Sequence, residues 1–458
     1  MVPLIFLILM FFLSSLAATM LCEAMALIPG NENYEKRVEF STIVEHYYGH
    51  KAYIVTQCVY SLSLQTLNIA SIIVTAQVMD QFLVRIVGKS YALALEHGSF
   101  VETTDLATPF AGAGLIISLG YMIVTVMCLP VGFLNLSEGI YFQYFSFAIL
   151  LAGMVEFFAQ YLQLDIKTDR VPVFGSDFSQ VIGTILFNYT YVVTVPSWVN
   201  EKMEKVSVNK VIWVSGIFTT VGYFVMGYVG AIAYEKVASN VLTTFASGGH
   251  LGTEISAYIF SLGVIGLGIP LFSIMIRYNL YVGKVFGPKL SAFFGVVLPW
   301  LVSWPLYQGN GFGIFVSWAS LLINSFINFG LPMVIYITAR RRYAEHVNAG
   351  GSVGVPGAGA VAPAAAEPAS ARARLYSNSS ATSGLMGSTA VNTEEAGLLY
   401  ENPYDYFYSP VNALPAFLRR YKSSMALAKG LLSWVVVLTV AAIIFQFLTQ
   451  LGVVSDSG

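Results

Sequence analysis

Apolar residues in this chain fall in runs of roughly twenty or more, separated by short polar connections. Runs of that length match the hydrocarbon thickness of a bilayer, about 30 Å at 1.5 Å per helical residue. They predict about ten helical spans: 3–28, 53–82, 109–130, 140–162, 178–199, 212–234, 255–281, 291–307, 313–338 and 427–450. The polar positions inside the runs are not scattered. In the second, Gln57, Ser61, Gln65, Asn68, Ser71 and Thr75 recur at helical spacing. At about 100° per residue they form one face roughly 120° wide, with a mainly apolar face opposite apart from Ser63 and Thr66. Lipid cannot satisfy two glutamine amides, so this stripe faces protein or an aqueous path. Ordinary polar packing between helices is the competing reading.

The fifth run contains FNYTYVVTVPSWVNEK, Phe187 to Lys202. Pro196 has no N–H, and its ring disturbs the bond to the carbonyl of Val192. Within hydrocarbon an unpaired backbone group costs several kcal/mol, so such a break needs protein or a watery cavity around it. Transporters use broken helices near the midplane to present backbone groups to substrate and ions. Phe187 to Thr194 is therefore the candidate for substrate contact: Asn188, Thr190 and Thr194 offer hydrogen bonds, and Tyr189 and Tyr191 offer walls. A simple proline kink with its hydroxyls bonded back to the helix is the alternative. In the seventh run, Gly266, Gly268, Pro270, Ser273 and Arg277 repeat the combination of small residues and proline. The ninth carries Ser317, Asn324, Ser325 and Asn328 before Pro332, a weaker signal.

Composition changes the picture only by excluding classes. The 458 residues are 56% hydrophobic and 10% charged, with a mean hydropathy of +0.69. A water-soluble chain of this length needs more charge to cover its surface, so the class is an all-α polytopic membrane protein. A net charge of −2 without a basic, aromatic patch gives no sign of nucleic acid. Cys22, Cys58 and Cys128 fall within apolar runs and read as packing residues, with neither a disulfide framework nor metal-ligand spacing. All five histidines lie between spans, which leaves no intramembrane histidine relay. Glu23 and Glu156 sit within a turn or two of span ends and read as structural pairing groups; Arg277 reads as an anchor of the cytosolic end, by snorkelling or by pairing with an acid such as Glu23.

Basic residues mark the cytosolic side. Eighteen of the 23 Lys and Arg fall on one face, including Lys36, Arg37, Lys202, Lys205, Lys284 and Arg340 to Arg342, against Arg85, Lys89, Lys167, Arg170 and Lys236 on the other. This arrangement starts residue 1 outside or in a lumen and so predicts a further helix ahead of Met1. The first run itself has no basic segment before it and outlasts a signal-peptide core, so it reads as a retained helix. Three parts follow: a transport core over 1–344, a cytosolic loop over 345–424, and a final helix with a short tail over 425–458. The Ala/Gly/Ser/Pro-rich composition within 349–390 cannot bury enough surface to order itself. On that side Asn378 is not expected to be glycosylated. Glu394 to Leu399 (EEAGLL) fits an acidic dileucine sorting signal and Tyr404 to Phe407 (YDYF) a tyrosine-based one, with sorting adaptors as the implied partners.

FSTIVEHYYGHKAY (40–53), FNYTYVVTVPSWVNEK and IPLFSIMIRYNL (269–280), with the long connection before a final helix, together resemble the amino acid/auxin permeases. That family holds the sodium-coupled neutral and the vacuolar amino acid transporters. The resemblance implies a LeuT-like fold of eleven helices, two inverted five-helix repeats and one extra, of which about ten are present here. It aligns the first run with the family's second helix and implies that the missing helix would supply half the substrate site. It makes the polar second run a lining of the central path, with Gln57, Ser61, Gln65 and Asn68 as substrate contacts. It also makes Ser273 a ligand for a coupling sodium ion, and it often has a histidine where this chain has Thr194.

The leading expectation is thus a secondary active transporter of amino acids, driven by a proton or sodium gradient through alternating access, with no cofactor. The expected location is a vacuolar or endolysosomal membrane or the plasma membrane. No GxxxxGK[ST] motif supports ATP-driven transport, and the histidines do not converge as a membrane enzyme would require. The alternatives are a sensor that signals through the cytosolic loop without transporting, or an inactive truncated product.

Overall fold

The computed structural model of the chain describes residues 2–95, 98–106, 109–110, 114–134, 140–171, 181–203, 205–235, 241–247, 250–307, 311–348 and 421–450. The two sorting motifs and nearly all of the long connection lie outside the described residues. Among the described residues, eight helical stretches are long and apolar enough to cross a membrane. They contain α1 (Val2–Ala26), α3 (His50–Val87), α5 (Ile140–Gln163) and α8 with α9 (Val208–Phe224, Gly230–Ala233). The others are α11 with α12 (Leu251–Phe260, Leu267–Val282), α13 with α14 (Pro288–Ala292, Leu298–Ser303), α15 with α16 (Gly311–Ala319, Leu331–Asn348), and α17 (Tyr421–Gln450).

Burial sorts these helices into two groups. Two thirds of the apolar window is enclosed in α1 and α3, against 22% in α5 and 17% in α17. The central pair buries hydroxyls and amides among its apolar residues, whereas the outer helices turn leucine, valine and phenylalanine outward. That arrangement follows from the solvent: a helix facing lipid gains nothing from hiding apolar side chains, so the polar groups migrate inward.

Two of the apolar runs do not form continuous spanning helices. The run expected at 109–130 enters as β3 (Ile116–Ser118) and becomes helical only over α4 (Leu119–Cys128). β3 joins β1 (Ser90–Ala94) and β2 (Ser99–Thr103) in an antiparallel sheet of order β2-β1-β3 at the end of α3. Asp80, near that end of α3 and fully buried, holds the sheet in place. Its carboxylate accepts the Ser90 hydroxyl at 2.8 Å, the Gly120 N–H at 2.9 Å, and the Ser118 and Tyr307 hydroxyls. The run at 178–199 divides into α6 (Val181–Asn188) and α7 (Val195–Glu201).

Three prolines explain most of the remaining irregularity. Pro270 in α12, Pro299 at the start of α14 and Pro332 at the start of α16 each follow a π-helical turn, respectively Ser261–Gly266, Phe293–Val297 and Phe326–Gly330. A proline ring collides with the carbonyl four residues back and offers it no donor. Those carbonyls belong to Gly266, Gly295 and Asn328, and each lies inside the wider turn, where the bonding step lengthens by one residue.

The faces assigned from charge also hold together in space. Arg37 pairs with Glu201, Arg342 donates to the carbonyl of Tyr47 at 2.6 Å, and the Tyr48 hydroxyl reaches the Val334 carbonyl at 3.0 Å. These contacts dock α2 (Phe40–Tyr48) on α7 and α16 at one end. At the other end Arg85 pairs with the buried Glu254 at 2.6 Å, and Arg170 caps the carbonyls of Ile232 and Ala233. Arg277 does not pair with Glu23. It donates to the carbonyls of Phe133 and Leu134 at 2.8 and 2.5 Å, while Glu23 faces Arg340 of α16 at 3.9 Å with both side chains fully buried. The chain end after α4 needs donors for its last carbonyls, and Arg277 is close enough to supply them. Arg340, buried beside α1, takes the acid instead.

Candidate functional site

The break in the fifth run falls at Tyr189 to Thr194, just ahead of Pro196, which opens α7 in the first-turn position where a missing N–H costs nothing. The segment between is a turn followed by a single 3-10 turn, Val192–Thr194. Its backbone bonding shows how the helix is kept open. In an α-helix, the N–H groups of Val193 and Thr194 would close onto the carbonyls of Tyr189 and Thr190. Here Val193 N–H donates at 3.3 Å to Oδ1 of Asn328, on the π-helical turn before α16, and Thr194 N–H donates at 3.0 Å to Tyr191. The Tyr189 and Thr190 carbonyls thereby lose their helical donors. Asn328 is fully buried, and its Nδ2 has no partner among the described residues.

The side chains named from sequence divide into two kinds. The hydroxyls of Thr190 and Thr194 donate back to the carbonyls of Phe187 and Tyr191, each at 2.7 Å. Tyr189 is buried and shares a 2.8 Å hydrogen bond with Thr220 of α8. Asn188 turns its side chain outward, and its carbonyl accepts the Tyr223 hydroxyl at 3.1 Å. Tyr191 places its hydroxyl beside Ser14 and Ser15 of α1. The back-bonded threonines leave the backbone, rather than the hydroxyl hydrogens, as the distinctive feature of the break.

The stripe on α3 faces protein, chiefly α12 and the π turn Phe293–Val297. Gln57 Nε2 donates to the Asn279 carbonyl at 3.2 Å, Gln65 Nε2 to the Phe294 carbonyl, and Asn68 Nδ2 to Ser273 Oγ at 2.9 Å. Each amide spends its donor and keeps its oxygen. Gln57 Oε1, Gln65 Oε1, Asn68 Oδ1 and the hydroxyls of Ser61 and Thr75 are buried without partners among the described residues. Among the described residues, no hydrogen bond joins this stripe to the broken segment. The connection runs over the back of α3 instead: Ser63 donates to Asn324 Oδ1 at 2.5 Å, Asn324 Nδ2 reaches Thr66 at 3.5 Å, and Asn328 follows four residues later. Sequence periodicity sets Ser63 and Thr66 aside as exceptions on an apolar face. The signal for them is the pair of asparagines in the ninth run, at a spacing that places both on one side of a helix.

A broken helix beside a polar, buried α3 suits a carrier of a small polar solute. The family model described as transmembrane amino acid transporter protein matches residues 1–296. The chain belongs to that family. The match spans α1 through the π turn before α14, and so includes the break, the stripe on α3 and Ser273. No curated protein and no solved structure matches the chain significantly. As a transmembrane amino acid transporter family member, the chain is an integral, multi-pass membrane protein, and the family's solute fits the donors and acceptors described above. Among the described residues no group of three or more His, Cys, Asp or Glu side chains is placed to hold a metal ion.

Proposed function

We infer that the chain carries amino acids across a membrane by secondary active transport, with the solute held at the break between α6 and α7. One observation supports this reading above the others: Val193 N–H is diverted to Asn328, which bares the Tyr189 and Thr190 carbonyls in mid-span. Those carbonyls suit the ammonium of an amino acid, and the unpartnered Asn328 amide N–H suits its carboxylate. Exposing backbone in hydrocarbon costs several kcal/mol for each unsatisfied group, so a bound zwitterion repays what a simple kink would waste.

The LeuT-like arrangement implied by the resemblance would supply alternating access about the broken helix, with coupling to a sodium or proton gradient. Gln57, Ser61, Gln65 and Asn68 line the seam along α12 rather than the solute pocket itself. Ser273, whose hydroxyl already accepts the Asn68 amide, completes that seam. A vacuolar or endolysosomal location and recruitment of sorting adaptors belong to the same reading and rest on sequence motifs alone. The test is uptake of radiolabelled amino acids into proteoliposomes under imposed sodium and proton gradients, comparing wild type with Asn328→Leu and with Thr194→Ala, whose hydroxyl is bonded back to the Tyr191 carbonyl. Gradient-dependent uptake with a raised KM in Asn328→Leu and a near wild-type KM in Thr194→Ala supports the site. Wild-type kinetics in Asn328→Leu would remove it.

A further inference from the structure

α7 is too short to fix its own position. Seven residues make two turns, about 10 Å, and a helix of that length is marginal at best in isolation. Where it lies, and hence whether the break stays open, is set by what holds its ends. Asn328 holds one end through Val193, just ahead of α7. The far end is held by Asn200, whose amide spends its oxygen and both donors on the two residues ahead of α2. Its Oδ1 accepts the Val38 N–H at 3.1 Å, and its Nδ2 donates to the Val38 carbonyl at 3.2 Å and to Glu39 Oε1 at 3.0 Å. The other Glu39 oxygen accepts the hydroxyl of Ser197, one turn earlier on α7. Glu39 occupies the N-cap position of α2 and makes no side-chain bond to that helix. An N-cap oxygen normally satisfies one of the first N–H groups of its own helix, so this carboxylate is turned from that role toward α7.

We propose that Asn200 and Glu39 are positioning residues for the solute site: they clamp α7 to α2, so that α7 cannot slide back onto α6, Val193 N–H stays with Asn328, and the break stays open. α2 is a firm anchor for such a clamp. It buries Phe40, Ile43, Val44 and Tyr47; the Tyr47 hydroxyl donates to the Ala24 carbonyl of α1 at 2.8 Å, and Arg342 of α16 donates to the Tyr47 carbonyl at 2.6 Å. Gly49, at φ 82°, is the single residue between α2 and α3, which leaves the anchor little slack. The position requires an amide. It offers an acceptor and two donors on one planar group, which pairs with both backbone groups of Val38 and still reaches the carboxylate. The Arg37–Glu201 pair spans the same junction, but both side chains are exposed, where such pairs contribute little. The inference deepens the transport reading, on which its kinetic test rests; its exchange test needs no solute.

The experiment compares wild type with Asn200→Ala, Glu39→Ala, Asn200→Ala combined with Asn328→Leu, and Arg37→Ala. The readings are hydrogen exchange over 189–195 in the purified full chain and amino acid uptake into proteoliposomes. Asn200→Ala and Glu39→Ala are expected to speed that exchange and to raise KM roughly 5–30-fold, the loss of one or two net hydrogen bonds, with the maximal rate per folded protein kept. Asn200 and Asn328 share no hydrogen-bond partner among the described residues, yet both act on α7. The double variant is therefore expected to raise KM by less than the product of the single effects. Arg37→Ala is expected to match wild type in both readings. Contacts that merely support the fold would lower yield and maximal rate and leave KM unchanged, and that result overturns the proposal. So do wild-type exchange in Asn200→Ala, multiplying effects in the double variant, or an equal effect of Arg37→Ala. If Asn200→Ala does not fold, Ser197→Ala, which deletes one hydrogen bond to Glu39, decides by the same readings. Faster exchange in Asn200→Ala, in a protein whose wild type takes up no amino acid, leaves the clamp standing and removes the transport reading; wild-type uptake with unchanged exchange in Asn200→Ala does the reverse.

Discussion

Replacing Asn328 with leucine, a side chain of the same branched shape, tests why the helix stays open. The change removes the acceptor for Val193 N–H and keeps the same branched arrangement of four side-chain heavy atoms, with methyls bulkier than the amide groups, so no cavity opens. Two outcomes compete for the freed N–H. Left unpaired, it costs about 1–3 kcal/mol. Polar contacts between membrane helices average nearer ~0.6 kcal/mol when broken, because the groups find substitutes. The substitute here is the Tyr189 carbonyl four residues back, and bonding to it would re-form an α-helical turn across the break. Without that substitute the open geometry loses about 1–3 kcal/mol, roughly a 5–150-fold weaker apparent affinity for solute; with it the loss is nearer ~0.6 kcal/mol, roughly threefold. The assays are the concentration dependence of uptake and hydrogen exchange over 189–195. Ser325→Ala is the control, since that hydroxyl only donates within its own helix, to Ser320. A KM within twofold of wild type together with unchanged exchange would refute the role given to Asn328.

Other substitutions test the scaffold around the break. Glu23→Gln removes the carboxylate that faces the buried Arg340 at 3.9 Å and is expected to destabilise by about 3–5 kcal/mol, while Glu23→Gln combined with Arg340→Met recovers most of that loss; melting temperatures of the three proteins check it. Gly120→Ala would place a Cβ 2.7 Å from three atoms of Asp80, so folded yield is expected to collapse, whereas Gly227→Ala, whose Cβ would meet nothing within 4 Å, leaves yield unchanged. His46, on α2, has its pKa pushed below the ordinary value by burial and then by the positive charges of Arg342 and Lys36. The unfolded chain therefore takes up this proton first, so the contribution of neutral His46 is present above about pH 6.5 and is lost as pH falls toward the lower folded value. His46→Gln is expected to flatten that part of the melting-temperature profile.

Much of this architecture was legible in the order of apolar and polar residues. Run length located the eight long spans, and Pro196 marked the interrupted helix to within a few residues, because a lost donor and a ring clash act locally. Helical spacing likewise found the stripe on α3 and showed that it must face protein or an aqueous path rather than lipid. What it could not show was which protein. Asn328 and Val193 lie 135 residues apart, and no local rule pairs them. The sheet over Ser90 to Ser118 was missed because its third strand is apolar and continuous with α4, so that a single run of hydropathy covers both. Asp80 was hidden for a related reason: it reads as the polar end of a span until Ser90, Ser118 and Tyr307 arrive from three other parts of the chain. The assignment of Arg277 to Glu23 failed because end-of-helix carbonyls, invisible to a search for opposite charges, compete equally well for a guanidinium.

The most direct measurement is solute protection of the broken segment. With the exposed Cys58 changed to alanine, the Thr194→Cys variant is reconstituted in proteoliposomes and treated with a water-soluble thiol reagent, with and without saturating amino acid. A solute seated on the Tyr189 and Thr190 carbonyls should slow labelling several-fold. Labelling at one rate under both conditions, in a variant that still takes up amino acid, would contradict the account.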